Sequence, residues 1–161
     1  MAIASPASEV FISPGALLEH WQGHRRLTRR VIEAFPEDKF TGFAIGGMRP
    51  FAGLALELLR MAVPTVQGVL TGEWKEGVSP EPRAKRETLA LWDESTTQLN
   101  ALWPRIPVTR FGETIKAFGQ WEMAGRDLIL YLIDNEVHHR GQGYVYLRSL
   151  GIEPPAFWER T

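Results

Sequence analysis

Four stretches of this 161-residue chain space their apolar side chains alternately three and four residues apart, and no stretch shows a clear strand pattern. In the first, Leu17, Trp21, His24, Thr28, Val31 and Phe35 mark one helical face, with Ser13 placed to cap and Pro14 suited to the first helical position. Pro50 can open the second, PFAGLALELLRMAVPTVQGVL, which is apolar almost all round and therefore predicted to be buried, with Pro64 kinking it or ending it early. The third, RAKRETLALWDESTTQLNALW, carries Leu89, Trp92, Thr96, Leu99 and Trp103 on one face and stops at Pro104 and Pro107. The fourth runs from about Arg126 to Leu150 and is ended by Gly151 and the Pro154–Pro155 pair.

The pattern predicts an all-α fold, a four-helix bundle. The links after the first and third helices exceed what an up-down-up-down bundle needs, so crossover connections are expected there. Between the third and fourth helices the sequence reads as a long loop with short extended pieces around Thr114 to Phe118. The chain divides into an N-terminal extension (1–12), the bundle (13–155) and a short tail (156–161), whose Phe157 and Trp158 are expected to pack on the domain or on a partner.

Composition excludes several functions. A hydrophobic share of 44% with 23% charged residues is that of a globular chain. The 18 Lys+Arg and 19 Asp+Glu nearly cancel, so no overall field draws the molecule to nucleic acid. With no cysteine there is no disulfide, thiolate metal site or Cys nucleophile. No targeting segment and no membrane span is recognisable, and a cytoplasmic protein is the simplest expectation. Arg25, Arg26, Arg29 and Arg30 fall opposite the first apolar stripe and read as a solvated face rather than a phosphate patch. His20 and His24 have the i, i+4 spacing of a helical pair but lack a third ligand at fixed distance, which leaves His24 of more interest as a pocket wall. The six tryptophans are expected in the core or in the walls of a cleft.

On the fourth helix Leu128, Leu132, Asn135, His139, Gln142 and Tyr146 share one stripe, which predicts that Asn135, His139 and Gln142 face inward. Each such group costs about 1–3 kcal/mol if left unpaired. Glu57 and Arg60 are the only charged residues between Phe51 and Val69, so the Glu57 carboxylate is a natural partner. Two arrangements satisfy this set: a buried hydrogen-bond network, with Glu57 accepting from His139 or Arg140, and a metal site in the bundle core.

The segment EVHHRGQGYVYLRSLGIEPP, the opening LLEHWQGHRRLT and the start MRPFAGLALELL resemble the DinB/YfiT-like family of metalloenzymes over roughly residues 14–155. The resemblance implies a bundle with crossover connections, commonly a homodimer, and a divalent metal held by three histidines. It also implies a small-molecule substrate, with thiol-dependent transfer or isomerisation among the known activities, and a low-molecular-weight thiol as possible co-substrate. Carried over by position, the metal ligands fall on Glu57, Asn135 and His139, so two of the three depart from the family's histidines. Such a set is richer in oxygen and shifts preference from zinc toward manganese or iron, with nickel also accepted. Trp21, His24, Thr28, His138 and Gln142 are the accompanying pocket or second-layer candidates. The rival expectation is a non-catalytic binding or stress-response module whose site has become a polar network.

Overall fold

Ser13 starts the first helix as predicted: its Oγ accepts the Ala16 N–H at 3.1 Å, and with Pro14 in the first position α1 runs Pro14–Ala34. In the computed structural model, which describes residues 11–81 and 83–161, four further helices follow. They are α2 (Glu37–Gly42), α3 (Phe51–Thr71), α4 (Lys85–Leu102) and α5 (Gly125–Ser149). Residues 1–10, most of the expected N-terminal extension, lie outside the described residues. α3 continues past Pro64 to Thr71 and ends where Gly72 turns left-handed, at φ 78°. Between α4 and α5 lie two 3-10 turns and a hairpin that the sequence only half predicts. Strand β1 (Thr114–Ala117) pairs antiparallel with β2 (Trp121–Ala124), and Phe118 (φ 50°) and Gly119 (φ 69°) form the bend.

α1 packs against α4 and α5, and α3 packs against the same two, so α1 faces α3, and α4 faces α5, across the diagonals. One end of the core collects Leu17, Trp21, Val66, Val69, Leu99 and Ile129, and the other collects Val31, Phe35, Phe51, Trp92, Tyr146 and Leu147. α1 and α5 therefore run one way, and α3 and α4 the other. The result is an up-down-down-up bundle with crossover connections. The connection that travels the bundle's length is not one of those expected. It is the segment 72–84 between α3 and α4, which must return roughly 30 Å at 1.5 Å per helical residue. The links after α1 and α4 instead join diagonal helices at one end.

Close approaches fix this packing. Phe35 stacks on Phe51 with ring centroids 4.8 Å apart, and Phe51 in turn presses on α5 at Gly143, where a Cβ would lie 2.4 Å from its ring edge. Pro64 deprives the Arg60 carbonyl of its helical N–H partner, and the return link passes close there: a Cβ on Gly77 would lie 2.5 Å from Arg60 O.

The arginine face of α1 needs correction at one position. Arg25 is 1% exposed, its guanidinium lying 4.3 Å over the Trp92 ring and donating to Thr96 Oγ1, Ser95 Oγ and the Trp92 carbonyl. Burial pulls its pKa down to about 10, against the pull of Glu136 and Asp93. The helical wheel misleads here because α1 lies between two neighbours, and α4 covers the flank that carries Arg25.

The tail folds back on α1. Arg26 Nε donates to Arg160 O at 2.8 Å, Arg30 donates to Glu159 O, and Gly23 admits the Arg160 side chain. Phe157 and Trp158, expected to pack on the domain or on a partner, are 60% and 69% exposed on the domain. α3 is the one described helix long and apolar enough to cross a membrane, and most of it is buried inside the bundle.

Candidate functional site

α5 has one seam with α3 and another with α1, and each carries its own polar cluster. On the α3 side His139 Nε2 lies 3.0 Å from Glu57 Oε1. Asn135 Nδ2 donates to the same oxygen at 3.3 Å and approaches Met61 Sδ at 3.6 Å. Arg49 Nη2 donates to the other carboxylate oxygen, Oε2, at 2.6 Å. His139 Nδ1 faces Gln142 Oε1 at 3.0 Å, and Gln142 Nε2 lies 3.5 Å from His138 Nε2. Burial would raise the Glu57 pKa, but hydrogen bonds from His139, Arg49 and Asn135 outweigh it and take the carboxyl from 4.5 to about 2.

These groups do not meet in the deep core. His139 is 6% exposed, but Glu57 is half-buried and lines an open cleft of about 420 Å³ together with Arg49, Arg60, Met61, Glu76 and Phe118. Asn135 and Gln142, predicted to face inward, are likewise only half-buried. A second cavity of about 260 Å³ adjoins it, lined by Met61, Thr65, Phe118, Trp121, Tyr131 and Leu132. Met61 and Phe118 belong to both, so the two cavities adjoin at these side chains as a two-part trough, with Glu57 on the larger part.

The α1 seam holds a cluster that sequence reasoning missed. Glu136, 2% exposed, accepts Trp21 Nε1 at 3.0 Å and Thr28 Oγ1 at 2.6 Å, and its Oε1 lies 3.9 Å from Arg140 Nη1. Arg140 also donates to Thr28 Oγ1 and, through Nη2, reaches His24 Nδ1 at 2.9 Å. Burial and the charges of Arg140, Arg160 and His20 push the His24 pKa down to about 3. The ring is therefore neutral, accepting at Nδ1, with Nε2 turned toward His20 Nε2 at 3.3 Å.

The predicted candidates thus divide. Glu57, Asn135 and His139 converge, with Gln142 bound to His139, and His138 lies beside them, 3.5 Å from Gln142 Nε2 and with its ring 5.1 Å from that of His139. Trp21, His24 and Thr28 belong to the other network and do not line the Glu57 cleft. The signal for Glu136 was present: Ile129, Ile133, Glu136, Arg140, Gly143 and Leu147 are spaced four, three, four, three and four, and all six are buried. This stripe lies one residue over from the predicted one. A Glu–Arg pair at i, i+4 is the usual mark of a solvated face, and here it is buried.

Could the Glu57 cluster hold a metal? Among the described residues no three His, Cys, Asp or Glu side chains form a ligand group, so Asn135 must supply the third donor by turning its amide to present Oδ1. In the tautomer that gives its Nδ1 proton to Gln142, His139 turns the Nε2 lone pair toward a carboxylate oxygen 3.0 Å away, and in the other tautomer Nε2–H donates to that oxygen. Two facing lone pairs at that distance require a proton or a cation between them. One imidazole nitrogen and two oxygens are donor types that a hard to borderline divalent ion accepts.

Residues 9–160 match the family model described as the DinB family. The curated Bacillus subtilis protein named "Uncharacterized protein YjoA" is 23% identical over 153 residues, spanning 89% of this chain and 95% of its own length. The crystal structure of that DinB-like protein aligns with a TM-score of 0.72 at 22% identity, covering 90% of this chain and 99% of that one. A DinB-like protein from Bacillus cereus aligns with a TM-score of 0.70 at 16% identity, covering 88% and 95%. At these identities the likeness to solved structures speaks for the fold alone.

Proposed function

The chain belongs to the DinB family, and we propose that it is a divalent-metal-dependent enzyme acting on a small molecule, with Glu57, Asn135 and His139 as the protein ligands. The carrying observation is the 3.0 Å approach of His139 Nε2 to Glu57 Oε1 while Nδ1 is engaged by Gln142. Gln142 selects the tautomer that leaves Nε2 free to ligate. Arg49, bound to Oε2, holds the carboxylate ionised and leaves Oε1 for the ion. When bound, the ion supplies Lewis acidity, polarising an oxygen or acidifying a water or thiol. The carboxylate among the ligands tempers that acidification relative to three neutral imidazoles. Manganese and iron suit the oxygen-rich set better than zinc or nickel.

The reaction class we propose is transfer or isomerisation dependent on a low-molecular-weight thiol, or hydrolysis. We further propose a cytoplasmic homodimer. The exposed stripe of Leu130, Val137 and Val145 along α5 gives a second copy an apolar face to cover.

A second reading is a non-catalytic stress-response module in which a proton, not a metal, sits between Glu57 and His139. It is favoured by the fact that both Glu57 oxygens and both His139 nitrogens already have partners. Elemental analysis of untagged protein, grown with manganese, iron, nickel and zinc, separates the two. Stoichiometric metal that disappears in folded His139→Ala and Glu57→Gln variants supports the enzyme. Wild-type protein that neither retains nor takes up any of the four supports the module.

A further inference from the structure

We infer that the trough beside Glu57 binds a small amphipathic monocarboxylic acid, its apolar end in the aromatic cavity and its carboxylate against Arg60. The inference deepens the reading of this cleft as a substrate site, and rests on it, but its test does not need the metal.

Three observations carry it. First, the two cavities share Met61 and Phe118 but differ in chemistry. The smaller is walled by Phe118, Trp121, Tyr131 and Leu132, and the larger by two guanidiniums and two carboxylates. Phe118, Trp121 and Tyr131 are 41%, 54% and 54% exposed, which leaves aromatic surface open for a ligand to cover. Second, the charges in the larger cavity are not all used. Arg49 is bound to Glu57, whereas Arg60, exposed on the same helix, makes no hydrogen bond or ion pair among the described residues. A buried apolar anchor with one convergent, unspent guanidinium suits a carboxylate, which that planar group can grip with two N–H donors. Third, the remaining charges restrict the anion. Glu57 and Glu76 line the same cavity, so a phosphate dianion at Arg60 would be repelled by these carboxylates about twice as strongly as a monoanion in the same place. Met61, beside Asn135 and lining both cavities, puts the middle of such a ligand next to the Glu57–His139 pair.

The test compares 4-phenylbutyrate with its neutral amide, 4-phenylbutyramide, by titration calorimetry at low salt. It is run on chelator-treated protein and again with manganese added. Wild-type protein is expected to bind the acid more tightly than the amide. Arg60→Met should weaken the acid by about three- to tenfold while sparing the amide. Trp121→Ala should weaken both alike. Both side chains are on the surface, and circular dichroism checks the fold of each variant. Equal affinity for acid and amide in the wild type overturns the inference, as does a preference that survives Arg60→Met. Failure of both ligands to bind with and without manganese also overturns it. An acid preference in protein that takes up no metal would leave this inference standing and the metal reading refuted. Stoichiometric metal without acid preference would do the reverse.

Discussion

Glu136→Ala should be far more damaging than Glu57→Ala, although both remove a carboxylate from a polar cluster on a flank of α5. Glu136 is 2% exposed and is the only carboxylate within 4 Å of the buried Arg140 guanidinium among the described residues. Its removal leaves that cation buried without its counter-charge, a loss of about 3–5 kcal/mol. It also orphans Trp21 Nε1, which lies 1% exposed in the core. The Thr28 hydroxyl escapes this fate, since the His24 carbonyl is 3.1 Å away. Against a stability of about 5–15 kcal/mol for a domain of this kind, the variant loses a large share or fails to fold at 37 °C. Glu57 is a third exposed and its partner Arg49 more than half, so Glu57→Ala should cost about 1 kcal/mol or less. Urea unfolding followed by tryptophan fluorescence and far-UV circular dichroism reads both values. The double variant Glu136→Met with Arg140→Met should be markedly less damaged than the sum of the singles, because the stranded charge leaves with its partner. A cost for Glu136→Ala below about 1 kcal/mol, or strict additivity in the double variant, would refute the assignment of this cluster as the bundle's structural polar core.

Three further outcomes are expected. The folded-state pKa of Glu57 lies below its ordinary value, so its contribution to stability is complete above about pH 4.5 and is lost as pH falls toward about 2. The stability difference between wild type and Glu57→Gln should shrink across that window, and one that grows on acidification contradicts the assignment. His24, depressed from 6.5 to about 3, stays neutral in the folded protein while the unfolded chain takes up a proton below pH 6.5. Stability therefore falls from this source between about pH 6.5 and 3, and the His24 ring resonances should not titrate between pH 5 and 8; a midpoint in that range refutes the network drawn around it. Gly143→Ala would drive a methyl into the Phe51 ring and cost about 1–3 kcal/mol by overpacking, read as a shift in the urea midpoint; a stabilised variant would show that α3 and α5 are not in such close contact.

Periodicity alone sufficed for the long helices, because each carries four or more turns of apolar residues bounded by proline or glycine. It did not suffice for the order of neighbours. A helix wheel has no information on whether a flank is met by one helix or two, and this is where Arg25 was misplaced and Glu136 overlooked. Both occupy flanks that look solvated until a second neighbour closes over them. The convergence of Glu57, Asn135 and His139 was legible from one lone carboxylate on an apolar helix together with the resemblance. That they open on a trough was not legible, since the walls that close it against α3 and α5 come from the return link and the hairpin, segments with no period to read. The hairpin itself was half visible in Thr114 to Phe118. Its second strand, starting at Trp121, mixes a charge and an aromatic on exposed positions and gives no alternation to detect.

That division of labour has a consequence for how such a molecule can change. Several wall residues that would discriminate one guest from another, Glu76 and Pro80 on the link and Phe118 and Trp121 at the hairpin, lie on segments outside the long helices. New selectivity can be acquired by rewriting a few loop positions, while the machinery fixed on α3 and α5 goes on being inherited unaltered.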